Sequence, residues 1–409
     1  MSKIFSSFAV NAENPKWEQL IKREGQLYSR SDDVRNEFSR DYSRILHSLA
    51  YRRLKHKTQV FYNIGNDHVC TRMEHVAHVE SVSHTIADTL GLNIDLTKAI
   101  AMGHDLGHAP FGHKGEYILR ELSEKYLNKS FWHEQNGLRF VDRIELLEDK
   151  HAHLKNLMLT YAVRDGIISH CGEIDKNGLI PRDELLGLNS IKNAGEFEPA
   201  TWEGCVVKLS DKIAYVGRDI EDAKRLGFLS DSDKKKLEEY AKAFDGDAIN
   251  TTVIMHNLII DVCNNSSPEA GICLSEDYAK RLKEIKDFNY HTIYDNKRLK
   301  YFEEYARLVI NSLFKQLYSA YKAENTFSEL LKMEQYYPSF IKDFSEWLAK
   351  YVDKSIVPEY LNKDITICDN EKIYHSLEKE EYYIQAVIDY ISGMTDGYAI
   401  RAYNELITF

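Results

Sequence analysis

Residues 71–91 read TRMEHVAHVESVSHTIADTLG, and the fold class follows from this stretch outward. Val76, Val79, Val82, Ile86 and Leu90 recur at three- and four-residue steps, the period of a helix with one apolar face. Thr71 is placed to cap its start, Glu74 three positions on completes a capping box, and Gly91 stops it. A second helix is expected to begin with Asp95 as its cap. It carries Leu96, Ala99, Ile100 and Gly103 on one face and ends near Gly107, with Pro110 beyond. A third starts around Gly112 and sets His113 and Glu116 at i and i+3, neighbours on a helix surface.

The same periodicity marks residues 32–54, 133–147, 157–170, 202–226, 301–323 and 382–406 as helical. Alternating patterns are few and short, and Ile365-Thr366-Ile367-Cys368 is the best strand candidate. The expected architecture is all-α. No Pro/Gly/Ser-rich linker separates domains, so residues 1–409 are read as a single helical unit. Its core is expected at about 35–225, with a charged, tyrosine-rich peripheral region at 226–380. A final helix at 381–409 is expected to pack back on the core.

With 409 residues, 43% of them hydrophobic, the chain has ample material for a buried core. A net charge of −11 gives no general attraction for nucleic acid or an anionic membrane, so nucleic-acid binding is not favoured. An anionic substrate needs a local positive site, and Arg52-Arg53-Leu54-Lys55-His56-Lys57, followed by Arg72, is one candidate. Six scattered cysteines without a CxxC pair read as the reduced thiols of a cytoplasmic protein. No stretch approaches the ~20 apolar residues of a membrane span, and Met1-Ser2-Lys3-Ile4-Phe5 opens no apolar run of signal-peptide length.

His75, His78, His84, His104, His108, His113 and His133 crowd one short stretch. A single histidine is more often a hydrogen-bonded or surface residue, and His78 and His84 are read that way. His75, His104, Asp105 and Asp211 are read as a set. Two imidazoles and two carboxylates suit a divalent transition ion and leave positions for water and substrate. Adjacent helical residues point about 100° apart. His104 and Asp105 can therefore share an ion only close to the backbone, an approach that Gly103 and Gly107 would permit.

Several motifs match in order and spacing: Arg72-x-x-His75, His104-Asp105-Leu106-Gly107-His108-Ala109-Pro110-Phe111-Gly112-His113, and Asp211-Lys212-x-x-Tyr215-x-x-Arg218-Asp219. Together they resemble the HD-domain deoxynucleoside triphosphate triphosphohydrolases, the dGTPase family. Upstream the likeness includes Arg40-Asp41-Tyr42-Ser43-Arg44 and Lys57-Thr58-Gln59-Val60-Phe61. Downstream it returns in Thr160-Tyr161-x-x-Arg164-Asp165-Gly166 and Asp389-Tyr390-Ile391-Ser392-Gly393-Met394-Thr395-Asp396.

The resemblance implies that His75, His104, Asp105 and Asp211 ligate one divalent ion (Mn²⁺, Fe²⁺ or Mg²⁺). It implies cleavage between the α-phosphorus and the 5′ oxygen, releasing a deoxynucleoside and tripolyphosphate. His113 is the candidate acid for the departing 5′ oxygen, oriented by Glu116, and His133 resembles a histidine that some members place at the scissile phosphate. Arg72, Lys212 and His108 match phosphate-contacting positions. Gln59 and Asp219 match the pair on the 3′ hydroxyl, and Tyr215 matches the residue packed where a 2′ hydroxyl would sit. The expected partners are deoxynucleoside triphosphates and further copies of the chain in a homo-oligomer, and a nucleotide activator is compatible with the family. Two other functions stay open. One is an HD-domain phosphohydrolase acting on nucleotide mono- or diesters, and the other is a regulatory nucleotide or single-stranded DNA binder.

Overall fold

In a computed structural model of the chain, residues 3–27, 32–61, 66–171, 176–243, 250–361 and 365–408 are described. The fold is all-α, with one two-stranded antiparallel hairpin, β1 (Leu146–Glu148) and β2 (Leu154–Asn156). In chain order, the helices that position the site are α1 (Glu37–His47), α2 (Arg72–Leu90), α3 (Ile94–Gly103), α4 (Gly112–Leu127), α5 (His133–Arg139) and α6 (Tyr161–Ser169). They continue with α7 (Trp202–Arg225), α8 (Thr251–Asn265), α9 (Glu276–Asn289), α10 (Lys297–Tyr318), α11 (Pro338–Ala349), α12 (Glu380–Ser392) and α13 (Asp396–Ile407). No helix among the described residues is long and apolar enough to cross a membrane.

The chain divides into two compact units, each made of separate stretches: 1–46, 59–105 and 158–301 in the first, and 47–58, 106–157 and 302–409 in the second. The stretch 35–225, read from the sequence as one core, is thus shared between them.

In the first unit α7 is the centre, with α2, α3, α6, α8 and α9 packed on it. It is buried on most sides because apolar residues recur all along it, from Cys205 and Val206 through Leu209, Ile213 and Val216 to Ile220. Val82, Ile86 and Leu90 of α2 and Ile254 and Leu258 of α8 join the same core. The start of α2 is capped as its sequence says: the Thr71 N–H donates to Glu74 Oε2 at 2.8 Å, and Gly91 ends the helix at φ 86°. The cap of α3 is Asn93, whose side chain accepts from the Leu96 N–H at 3.1 Å, and the expected Asp95 lies in the first turn instead. The helix ends at Gly103 rather than near Gly107. A Cβ on Gly103 would lie 2.8 Å from Ile167, so its bareness lets α3 and α6 close together rather than admitting an ion.

In the second unit α12 packs on α4, and α11 packs on both α12 and α13. A Cβ on Gly107 would lie 2.0 Å from the His133 carbonyl oxygen and 2.1 Å from the Gly137 nitrogen, so only glycine allows this loop to meet α5. Phe111 (φ 64°) and Gly112 (φ 60°) are both left-handed, which turns the chain sharply into α4. For a non-glycine residue this conformation costs roughly 1–2 kcal/mol, so the fold must hold Phe111 there.

Three expected helices are broken. Residues 32–54 divide at Ser48, whose side chain accepts from the Tyr51 N–H to start a new turn. Residues 382–406 divide before Thr395, which caps α13. Residues 133–147 leave the helix at Phe140 through a π-type turn and enter β1. The expected strand at 365–368 is a turn, with only Cys368 bridged to Leu154.

Candidate active site

The N-terminus of α2 supplies His75, the residue after α3 supplies His104, and the middle of α7 supplies Asp211. One ligand atom from each lies within 4.8 Å of the others. His75 Nε2 is 2.9 Å from Asp211 Oδ1, and His104 Nε2 is 3.8 Å from the same oxygen. His104 is fully buried and its Nδ1 sits 2.7 Å from the Ala101 carbonyl, so that nitrogen carries the proton and Nε2 keeps its lone pair. Nε2 itself has no hydrogen-bond partner. A buried, unpaired lone pair facing a carboxylate is what a cation ligand requires, so this donor set fits a divalent ion.

Asp105 is placed beside this trio rather than in it. Its Oδ1 is 3.9 Å from His104 Nε2, while Oδ2 accepts from Arg72 Nη1 at 2.8 Å. Arg72 is itself buried, and its Nε and Nη2 have no hydrogen-bond partner. Burial pushes the Asp211 carboxyl up, but the hydrogen bond and charge of His75, with His104, outweigh it and hold the group ionised. Burial pushes His104 down, keeping it neutral.

The other first-unit candidates line up along α7 and its neighbours. Lys212 is buried directly after Asp211, and Tyr215 is half-buried against the α7 core. Gln59 Oε1 is buried without a hydrogen-bond partner, and Asp219 is buried and accepts from the Tyr294 hydroxyl.

The second unit gathers His108, His113, Glu116 and His133, with ligand atoms again within 4.8 Å of one another. Glu116 is the hub. Its Oε2 is 3.0 Å from His133 Nδ1 and 3.7 Å from His113 Nδ1, and Arg120 Nη2 donates to Oε1 at 3.2 Å. The carboxylate is therefore closer to His133 than to His113, the partner expected from i, i+3 spacing. Burial raises Glu116, but His133 and His113 more than offset it and hold the carboxyl well below its usual 4.5. His113 keeps 59% of its side chain exposed, so its ring is open to solvent. His108 is buried and stacked on His133 with centroids 3.8 Å apart and planes at 17°. In-plane lone pairs of stacked rings run nearly parallel, so the pair suits proton handling better than shared ligation of one ion.

In the basic run 52–57, Arg52 and Lys55 are exposed, while Arg53 and Lys57 are committed to partners within the protein. Arg53 pairs with Glu145 at 2.6 Å, and Lys57 is buried on main-chain carbonyls.

Two residues at the first-unit site were missed in the sequence. His170 packs edge-on against His104 with centroids 5.0 Å apart, and its Nδ1 lies 2.6 Å from the Ile167 carbonyl, repeating the His104 arrangement. Tyr294 reaches Asp219 from the turn after α9. Each meets its partner only through tertiary packing, so no local spacing announces it.

A family model described as HD domain matches residues 72–215, which include His75, His104, Asp105 and Asp211, and one described as phosphohydrolase-associated domain matches residues 358–405. A "Deoxyguanosinetriphosphate triphosphohydrolase-like protein" of Caldanaerobacter subterraneus subsp. tengcongensis is 34% identical over 375 residues, covering 91% of this chain and 86% of the relative. Proteins of the same description from Clostridium tetani and Rickettsia canadensis are 34% and 31% identical, covering 92% and 94% of this chain and 86% and 97% of their own. Identity at this level along nearly the whole length, with the HD model spanning the buried donor set, makes the chain a member of the HD-domain phosphohydrolases, in the deoxyguanosinetriphosphate triphosphohydrolase-like family.

Proposed function

We propose that this protein is a metal-dependent triphosphohydrolase that converts deoxynucleoside triphosphates to deoxynucleoside and tripolyphosphate, and so limits the dNTP pool. The observation that carries this reading is Arg72, a buried guanidinium with two unpartnered nitrogens, one salt bridge away from Asp105 and the His75–His104–Asp211 trio. A planar fork of N–H donors beside a cation site matches a polyphosphate better than a neutral substrate. The names of the relatives point to the same substrate class.

His75, His104, Asp105 and Asp211 would hold the ion, with Mn²⁺, Fe²⁺ or Mg²⁺ as the candidates. When bound, it would polarise a phosphoryl oxygen and acidify water. Arg72, Lys212 and His108 bind the phosphates. Gln59 and Asp219 hold the 3′ hydroxyl, with Tyr294 fixing the Asp219 carboxylate, and Tyr215 packs against the sugar where a 2′ hydroxyl would need room. As water adds to the α-phosphorus and its bond to the 5′ oxygen breaks, that oxygen takes a proton from His113. Glu116 stabilises the protonated ring, with His133 as the second imidazole on the same carboxylate.

The test is incubation of Mn²⁺-loaded protein with each of the four dNTPs, separately and mixed, with products separated by ion exchange. Deoxynucleoside with tripolyphosphate is the expected outcome. Orthophosphate or pyrophosphate would move the protein to another phosphoester, and no turnover with metal bound would leave a regulatory nucleotide site.

A further inference from the structure

The segment Asp389–Asp396 takes no part in the chemistry above, yet its atoms reach the loop that carries His108 and leads into His113. Asp396, in the first turn of α13, is buried. Its Oδ1 accepts from the Phe111 N–H at 2.9 Å and its Oδ2 from the Thr58 N–H at 3.1 Å. Lys57, also buried, donates from Nζ to the carbonyls of His108 and of Ser392, the latter at 3.0 Å. Asn136 Nδ2 adds a bond to the Gly107 carbonyl at 2.7 Å. The loop is thus pinned at Gly107, His108 and Phe111, two of these points tied directly or through Lys57 to the 389–396 segment.

The pin at Phe111 lies where the backbone needs it. Phe111 and Gly112 are consecutive left-handed residues, and an L-phenylalanine rarely adopts that conformation unaided. The turn then closes so tightly that a Cβ on Gly115 would lie 1.8 Å from the Pro110 carbonyl oxygen. This reversal starts α4 at Gly112, and so decides where His113 and Glu116, one turn apart on that helix, stand relative to His108 in the loop before it.

We propose that Asp396 is a positioning residue for the His113–Glu116–His133 cluster, a latch that with Lys57 fixes the Phe111–Gly112 reversal. The proposal rests on the reading of that cluster as the proton-handling part of the site. It also gives the region matched by the phosphohydrolase-associated model a task in this chain.

The experiment uses the full chain with Asp396→Asn, which keeps size and one acceptor but turns an NH₂ group toward the second N–H. Turnover of dNTPs, bound metal, and histidine ring signals from ¹³C-labelled, Mg²⁺-loaded protein are read together. The expected result is a kcat at least tenfold lower, KM within twofold, unchanged metal content, and displaced His113 and His133 ring signals. Unaltered kcat with unmoved signals would overturn the latch. So would a loss of kcat that only tracks loss of folded protein or metal. If Asp396→Asn does not fold, Lys57→Met removes the other pin and carries the same reading. If the wild-type chain turns over no dNTP, the functional reading fails, while the ring signals of Asp396→Asn still decide the latch.

Discussion

His104 commits Nδ1 to the Ala101 carbonyl and leaves Nε2 for a cation, so no other atom of the residue can take over as ligand. His104→Ala should therefore abolish stoichiometric metal, measured by elemental analysis, and bring hydrolysis to background. Glu116→Gln acts differently, because it keeps the shape but removes the charge that both His133 and His113 face. General acid–base steps contribute about 10²–10⁴-fold, so a fall in kcat of roughly 10² with metal retained is expected. The same residue sets an acid limit. Its folded carboxyl lies below the usual 4.5, so the unfolded chain takes up a proton that the folded one refuses. The stability it contributes is complete above that pH and is lost as pH falls toward the lowered value. An acid-unfolding curve followed by circular dichroism should be flatter in this range for Glu116→Gln.

At the scale of elements, Gly107 lets its loop reach α5 by having no side chain to collide with the His133 carbonyl. Gly107→Ala should destabilise the protein by on the order of 3 kcal/mol, as overpacking against rigid backbone does, and thermal melting would show it. A milder loss would mean that α5 can retreat. The extent of α2 was legible residue by residue, since Thr71, Glu74 and Gly91 act on backbone groups a turn away. The cap of α3 was misplaced by two residues because asparagine and aspartate are equally good caps and only the observed backbone picks Asn93. The break before Thr395 was missed because apolar periodicity runs straight through it, although a threonine ahead of Asp396 was a usable signal. His170 and Tyr294 had no signal of this kind, since their partners lie far away in the chain.

For the whole molecule, the ligand trio draws on α2, the residue that follows α3, and α7 of the first unit, so ion binding should stabilise that unit as a body. At one hundred times its dissociation constant an ion adds about 2.7 kcal/mol. Calorimetry should show a melting transition that rises with Mn²⁺ in the wild type and in Glu116→Gln, and stays put in His104→Ala. A rise in His104→Ala would place the ion elsewhere. The interleaving of the two units also bears on synthesis. Every stretch of the first unit has been translated by residue 301, whereas the second, begun at residue 47, waits for residues 302–409. Nascent chains should therefore acquire a metal centre while Phe111 still lacks Asp396 and Lys57 still lacks Ser392, so that the turn into His113 is not yet pinned. Ribosome-stalled intermediates would then bind the ion before they can hydrolyse anything.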